Sequence, residues 1–258
     1  LQPGNKVLHC LPCKYIAGKM MFVRGLILGL DMDLVEPSSN PVVKSDVKYD
    51  FVAMLPMQVQ NSIGKLKNVK KLIIGGSKIN NELVKELSTL KTQVFETYGM
   101  TETLTHIAAK NIKEEVFSLL PNINIAQDER NCLVIDAPGI AAESVVTNDL
   151  IKLVGDRQFV LMGRIDNVIN SGGIKLIPEQ IEDKLTSKIN ARFFVAGMPD
   201  QVLGEKLVLV VEGEKQNLDD AIFDDLDKYE KPKDVFFVSK FVETDNGKVK
   251  RKEILESI

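Results

Sequence analysis

KLIIGGSKINNELVKELSTLKTQVFETYGMTET, residues 71–103, decides the fold. Lys71 to Ile74 is an apolar run that ends in Gly75-Gly76-Ser77, the pattern of a buried strand entering a turn. Asn81 to Leu90 carries Leu83, Val84, Leu87 and Leu90 on one helical face, with Asn80 or Asn81 as the N-cap. Val94 to Tyr98 predicts the next strand. Strand, helix, strand in this rhythm builds a largely parallel, layered α/β sheet. The rhythm also runs upstream. Val7 to Leu11 reads as a strand, Ile16 to Leu28 as a helix, and Asp33 to Glu36 as a strand closed by Pro37-Ser38-Ser39-Asn40-Pro41. Phe51 to Leu55 opens another strand-to-helix unit.

Past His106 the texture changes. Residues 122–126, 132–135, 144–147, 151–154 and 157–162 read as short strands separated by turn residues, a small antiparallel sheet or barrel. After Gly163-Arg164 come strands at 168–170 and 174–177 around Ser171-Gly172-Gly173, then a helix opened by Pro178 with Glu179 and Glu182 in its first turns. Strands at 193–197 and 207–211, a helix at 218–229 and a final strand and helix complete a smaller α+β unit. The fold class is therefore α/β: a layered large domain with an antiparallel sheet or barrel, plus a smaller α+β C-terminal domain.

Composition narrows the function. The chain has 258 residues, 44% hydrophobic and 27% charged, which excludes wholesale disorder. Its 33 Lys and Arg against 36 Asp and Glu leave a net charge of −3, with no general pull toward nucleic acid or anionic membrane. Cys10, Cys13 and Cys132 are odd in number and too few for a disulfide scaffold, so a cytoplasmic setting is expected. The Cys10–Cys13 spacing has no second pair to make a zinc site. No apolar run reaches the ~20 residues of a membrane span, and no signal peptide is expected.

Four clusters carry candidate chemistry. Gly75-Gly76-Ser77 lets a backbone approach a flat heterocycle or an anion, and equally makes a tight strand-to-helix turn. Tyr98-Gly99-Met100-Thr101-Glu102-Thr103 ends a strand with an aromatic plate, hydroxyls suited to phosphate oxygens and a carboxylate suited to Mg²⁺. Strand carboxyl ends are where open α/β sheets bind ligands. The same run could instead cap a helix through Thr101. Asp149 and Arg164 could hold ribose hydroxyls and phosphate, or simply pair with each other. Thr244 to Arg251 offers Lys248 on a glycine-containing loop, a mobile point charge for a phosphate site. A solvated charge run is its plainer reading.

Taken in order, these residues resemble the adenylate-forming superfamily of acyl-CoA synthetases, adenylation domains and luciferases, from the first residues to the last. Tyr98 to Thr103 matches its YGMTET element, and Thr147-Asn148-Asp149 its TGD element with Asn148 in place of Gly. Gly163-Arg164-Ile165-Asp166 matches GRxD, Ser171 to Glu182 its SGG continuation, and Gly247 to Arg251 the terminal GKxxR. The resemblance implies an AMP-forming ligase that uses ATP, Mg²⁺ and coenzyme A. Tyr98 would stack on adenine beside Gly75, Gly76, Ser77 and Gly99. Thr101 would meet the α-phosphate, Glu102 would hold Mg²⁺, and Asp149 with Arg164 would clamp the ribose. Asp166 would be the hinge between residues 1–164, a partial adenylate-binding domain, and 165–258, a small mobile domain. Gly172 and Gly173 would face the pantetheine arm, and Lys248 would be the catalytic lysine.

Two departures bear on activity. The superfamily's phosphate-gripping loop, rich in Ser, Thr and Gly, has no counterpart in these residues, and the chain opens without Met. An N-terminal portion is therefore expected to precede it, and the piece alone is expected to be inactive. Leu11 to Met21 stands where the superfamily reads LPLFHxxG, with Tyr15 at the His-like position. That segment and the short link from Thr103 to Thr147 most resemble compact 2-succinylbenzoate–CoA ligases of menaquinone biosynthesis. Tyr15, Ala17, Gly18, Met21, Ser77, Met100 and Thr103 would then line the acyl pocket, although Tyr15 and Met21 equally suit the core of a helix. The expected partners are a carboxylic acid, ATP and CoA, with a homodimer as candidate assembly. The rival readings are a carrier-loading adenylation enzyme and a non-catalytic nucleotide-binding module.

Overall fold

The computed structural model describes residues 1–244 and 249–258. The chain folds as two compact units. The first comprises residues 1–128, 133–147 and 152–160; the second comprises 129–132, 148–151 and 161–258.

The first unit opens with β1 (Lys6–His9), α1 (Ile16–Ile27), β2 (Asp31–Leu34), β3 (Tyr49–Met54), α2 (Pro56–Ser62), β4 (Val69–Ile74), α3 (Asn81–Ser88) and β5 (Gln93–Gly99). Strands β2, β1, β3, β4 and β5 lie side by side in parallel. The apolar runs of β1 and β3 are buried on both faces, as a parallel sheet covered by helices requires. Val52, Met54, Leu72, Ile74 and Val94 pack with Val59 of α2 and Leu83 and Leu87 of α3. On the opposite side Val7, Phe51 and Ala53 pack with Met21 of α1. Asn80 caps α3 as expected, its side chain accepting from Leu83 N at 2.7 Å.

Antiparallel strands follow: β6 (His106–Asn111), β7 (Phe117–Leu119), β8 (Asn124–Gln127), β9 (Cys132–Asp136), β10 (Val145–Leu153) and β11 (Gln158–Arg164). They continue one hydrogen-bonded order, β2-β1-β3-β4-β5-β6-β7-β11-β10-β9-β8. The antiparallel texture thus joins the parallel sheet through the β5–β6 ladder. Residues 144–147 and 151–154, read as separate strands, form the single β10. Thr147 Oγ1 donates to Leu133 O at 2.8 Å from the middle of that run, and Leu150 and Ile151 remain buried, so the strand continues without a break.

The second unit holds β12 (Ile169–Ser171), β13 (Ile174–Leu176), α4 (Pro178–Leu185), β14 (Phe193–Asp200), β15 (Gly204–Glu212), β16 (Asp234–Val238) and α5 (Arg251–Leu255). Its central strand is β15, paired with β14 and β12 antiparallel and with β16 parallel. Leu207, Leu209 and Val211 pack on Ile181 and Leu185 of α4. Val208 and Val210 pack on Phe194, Phe241 and Ile254 of α5. The helix expected at 218–229 is not formed; the segment contains a short 3-10 turn at Asp220–Phe223. Asp219 accepts from Ala221 N, and Asp224, Asp225 and Asp227 would fall in the carboxyl-terminal half of such a helix, where negative charge is disfavoured. Leu218, Ile222 and Leu226 still reach the core, so the apolar spacing is satisfied by a looped chain.

Gly18 of α1 is buried, and a Cβ there would lie 2.2 Å from the Pro12 carbonyl oxygen. Gly18→Ala is expected to cost about 1–3 kcal/mol in urea unfolding by overpacking against backbone. Gly64→Ala, which would meet nothing within 4 Å, serves as the neutral control.

Candidate functional site

In the first unit the candidate residues gather at the ends of β4 and β5. Gly75 follows β4 where a Cβ would meet Thr97 Oγ1 at 2.6 Å, and Gly76 has φ +91. The backbone conformation asks for glycine at 76 and the Thr97 side chain leaves no room for a Cβ at 75, while Ser77 beside them is exposed. At the end of β5 the register slips between Tyr98 and Gly99. The reversal that follows is a 3-10 turn over Thr101–Thr103, with Leu104 at φ 56. Met100, rather than Thr101, takes the cap position. The Thr103 hydroxyl accepts from Met100 N at 3.2 Å and donates to Thr105 O at 2.9 Å. Thr103 is therefore wholly buried and holds the turn shut, while Thr101 and Glu102 face solvent. The turn frees one hydroxyl and one carboxylate at a sheet's edge.

Tyr98 is not an open plate. Its ring is 8% exposed and meets Phe117 and Phe159 edge-on, with centroids 6.1 and 5.4 Å away. Met21 likewise lies in the core, as the plainer reading of that helix anticipated, whereas Tyr15 is exposed at the start of α1 beneath Lys14. Ala17 is exposed, Gly18 is buried against Pro12, and Met100 is half-buried.

Two further residues join this region. Arg24 on α1 has its guanidinium over the Phe51 ring at 5.5 Å and donates to Met21 Sδ at 3.5 Å. Burial lowers its pKa, and among the described residues it pairs with no carboxylate. Sequence reading passed over Arg24. The signal was a charged residue inside the otherwise apolar run Met20 to Leu28. His106, opposite Gly99, is pushed down to about 4, first by burial and then by the Arg24 charge.

In the second unit Arg164 donates through Nη1 to Asp149 at 3.1 Å and through Nη2 to Asp166 at 2.8 Å. The pairing weighed as a structural rival for Asp149 and Arg164 is thus present, and Asp166 joins it. Arg164, aided by Asn148, holds the Asp166 carboxyl below the ordinary range. Gly172 and Gly173, both at positive φ, turn β12 into β13; a Cβ on Gly173 would meet nothing. Lys248, with Asp245, Asn246 and Gly247, lies outside the described residues. Arg251 donates to Glu182 and packs over Phe194, tying the terminal motif to α4 and β14. Among the described residues no group of three or more His, Cys, Asp and Glu side chains comes together. One exposed carboxylate such as Glu102 suits Mg²⁺, which keeps water and phosphate oxygens as its other ligands.

No family model matches the chain. An acyl-CoA synthetase (AMP-forming)/AMP-acid ligase II-like protein from Dyadobacter fermentans is 37% identical, with all of this chain aligned to 79% of that one at a TM-score of 0.61. A 2-succinylbenzoate–CoA ligase of Lactococcus lactis is 24% identical over 273 residues, covering 95% of this chain and 60% of its own length. The chain therefore spans well under two-thirds of that curated relative. An o-succinylbenzoate coenzyme A synthetase from Bacillus subtilis, solved with ATP and magnesium, shares the fold at a TM-score of 0.82 with 18% identity, over 96% of this chain and 61% of that one.

Neutral His106 stabilises the fold fully above the unfolded value near 6.5, and that stability is lost as pH falls toward 4, because the unfolded chain takes up the proton first. His106→Gln is therefore expected to lose less melting temperature between pH 7 and pH 5 than the parent.

Proposed function

Since the chain belongs to the adenylate-forming superfamily of AMP-forming acyl-CoA synthetases, we propose that the polypeptide carrying it is an acid–CoA ligase, acting on 2-succinylbenzoate in menaquinone biosynthesis. One observation carries this reading. Tyr98 to Thr103, Thr147 to Asp149, Gly163 to Asp166 and Gly247 to Arg251 keep the superfamily's order and, apart from Asn148 in place of Gly, its residue types. The similarity to a 2-succinylbenzoate–CoA ligase over 95% of the chain supports the acid.

The reaction has two halves. A carboxylate oxygen of the acid attacks the α-phosphorus of ATP and the bond to pyrophosphate breaks. The CoA sulfur then attacks the acyl carbon and AMP departs. The first step brings an anion onto an anion, so positive charge must reach the phosphoryl oxygens as the bond forms. Lys248 is assigned that role, with Thr101 donating to the α-phosphate. Glu102 would hold Mg²⁺, which supplies charge neutralisation on the polyphosphate when bound. Asp149 is assigned to the ribose hydroxyls, with Arg164 released toward the nucleotide from its ion pair. Tyr98 is assigned to the adenine side of the slot lined by Gly75 and Gly76; its present burial requires the ring to serve by an edge or one face.

The second half needs Lys248 out of the way. A turn of the chain about Asp166 would withdraw it and present Gly172 and Gly173, small enough to admit the pantetheine arm. Arg24 completes the reading. A desolvated guanidinium that pairs with no carboxylate among the described residues suits the second carboxylate of 2-succinylbenzoate, the one that does not react.

Lys248→Ala in the intact polypeptide is expected to slow ATP–pyrophosphate exchange about 10²–10³-fold. Transfer of a preformed acyl-adenylate to CoA should stay within a few-fold of the parent. Arg24→Ala is expected to raise KM for 2-succinylbenzoate about 10-fold or more, the cost of a charged hydrogen bond, while KM for ATP stays put.

A further inference from the structure

Asn148 stands where the superfamily motif has glycine, and its side chain is engaged at both ends. Its Nδ2 donates to the two carboxylate oxygens of Asp166 at 3.0 and 3.2 Å. Its Oδ1 accepts from Arg130 Nη1 at 3.1 Å. Reversing the amide would set oxygen against carboxylate and NH₂ against guanidinium, so opposite charges define its orientation. Asp166 also accepts from Arg164 Nη2 at 2.8 Å, and the same guanidinium reaches Asp149. The next residue, Asn167, donates to Glu179 Oε1 of α4 at 2.5 Å. The segment 164–167 is thus tied by side chains on both sides, and a glycine at 148 would remove the link from Asp166 to β10, leaving that of Arg164 to Asp149.

We infer that Asn148 is a positioning residue: a latch that holds the Asp166 carboxylate against β10 and sets how readily the 164–167 segment turns between the two half-reactions. This rests on the proposed function only in what the turning serves; the latch itself is a property of the hydrogen bonds. Asp166 is half-exposed, so water competes for its oxygens and the latch is weak enough to open within a catalytic cycle. Because Arg164 is shared between Asp166 and Asp149, loosening one carboxylate also changes the competition for the other. In motif members with glycine, nothing at this position takes part in that competition.

The test uses the intact polypeptide and two variants. Asn148→Ala removes the amide without adding glycine's backbone freedom. Asn148→Asp keeps an acceptor for Arg130 but turns a carboxylate toward Asp166. Amide hydrogen exchange is read at residues 165–168, where Val168 N donates to Ile165 O at 3.2 Å. Exchange is expected to speed about 3- to 10-fold in Asn148→Ala and further in Asn148→Asp. Single-turnover transfer from acyl-adenylate to CoA should change by a similar factor, with KM for ATP in pyrophosphate exchange within about 2-fold of the parent. Unaltered exchange in both variants, or an Asn148→Asp variant as protected as the parent, overturns the latch. Faster exchange with both half-reactions untouched overturns its part in turnover. Faster exchange in the two variants of a parent polypeptide that itself activates no acid upholds the latch and sinks the ligase reading instead.

Discussion

At the end of β5 the chain returns on itself so tightly that Gly99 has no room for a Cβ. An added carbon would lie 2.5 Å from both the Cα of His106 and the carbonyl oxygen of Thr105. This close approach ends the parallel ladder and starts the antiparallel one, with a register slip at Tyr98 and Gly99 to absorb the change. It also dictates the chemistry left at the edge. Residues 100–105 must reverse within a few bonds, Thr103 spends its hydroxyl closing that reversal, and Thr101 and Glu102 are left facing water. A steric limit at one glycine therefore separates buried polar atoms that maintain the fold from exposed ones available to a nucleotide.

Arginines do comparable sorting in the second unit. Arg251 bonds Glu182, whose carboxyl burial pushes upward against the opposing pull of that guanidinium. Glu182 also accepts from Val195 N at 2.9 Å, so α4, β14 and α5 meet at one carboxylate. Arg164, half-exposed, instead shares itself between Asp149 and Asp166. The first arrangement is half-buried and suits a fixed scaffold. The second is wetter, hence weaker and exchangeable, which is what a nucleotide-dependent rearrangement requires.

The strands and helices of the first unit were legible because burial imposes period. Leu83 and Leu87 one helical turn apart, and apolar runs at 51–54 and 71–74, leave little alternative. The stretch 218–229 had the same helical spacing and yet loops, since spacing reports which residues are buried and not which backbone delivers them. The candidate site was legible through ordered residue types, so Tyr98, Thr101, Glu102, Asp149 and Arg164 could all be named. Tyr98's packing among Phe117 and Phe159 was hidden, because its partners lie 19 and 61 residues away along the chain. Arg24 was overlooked for a similar reason: nothing local tells that an arginine in an apolar helix meets no carboxylate among the described residues.

The sequence by itself determined the layered α/β class, the strand-to-helix rhythm, the glycine turns and membership of a motif family, because each depends on local backbone preference or on residue order. Tertiary structure decided which motif residues are spent on the fold and which remain for chemistry. Thr103 closes a turn, Arg251 anchors a carboxylate, and Asn148 reaches the Asp166 carboxylate across 18 residues of chain. Such partnerships rest on distances between atoms remote in sequence, and only packing the whole chain brings those atoms together.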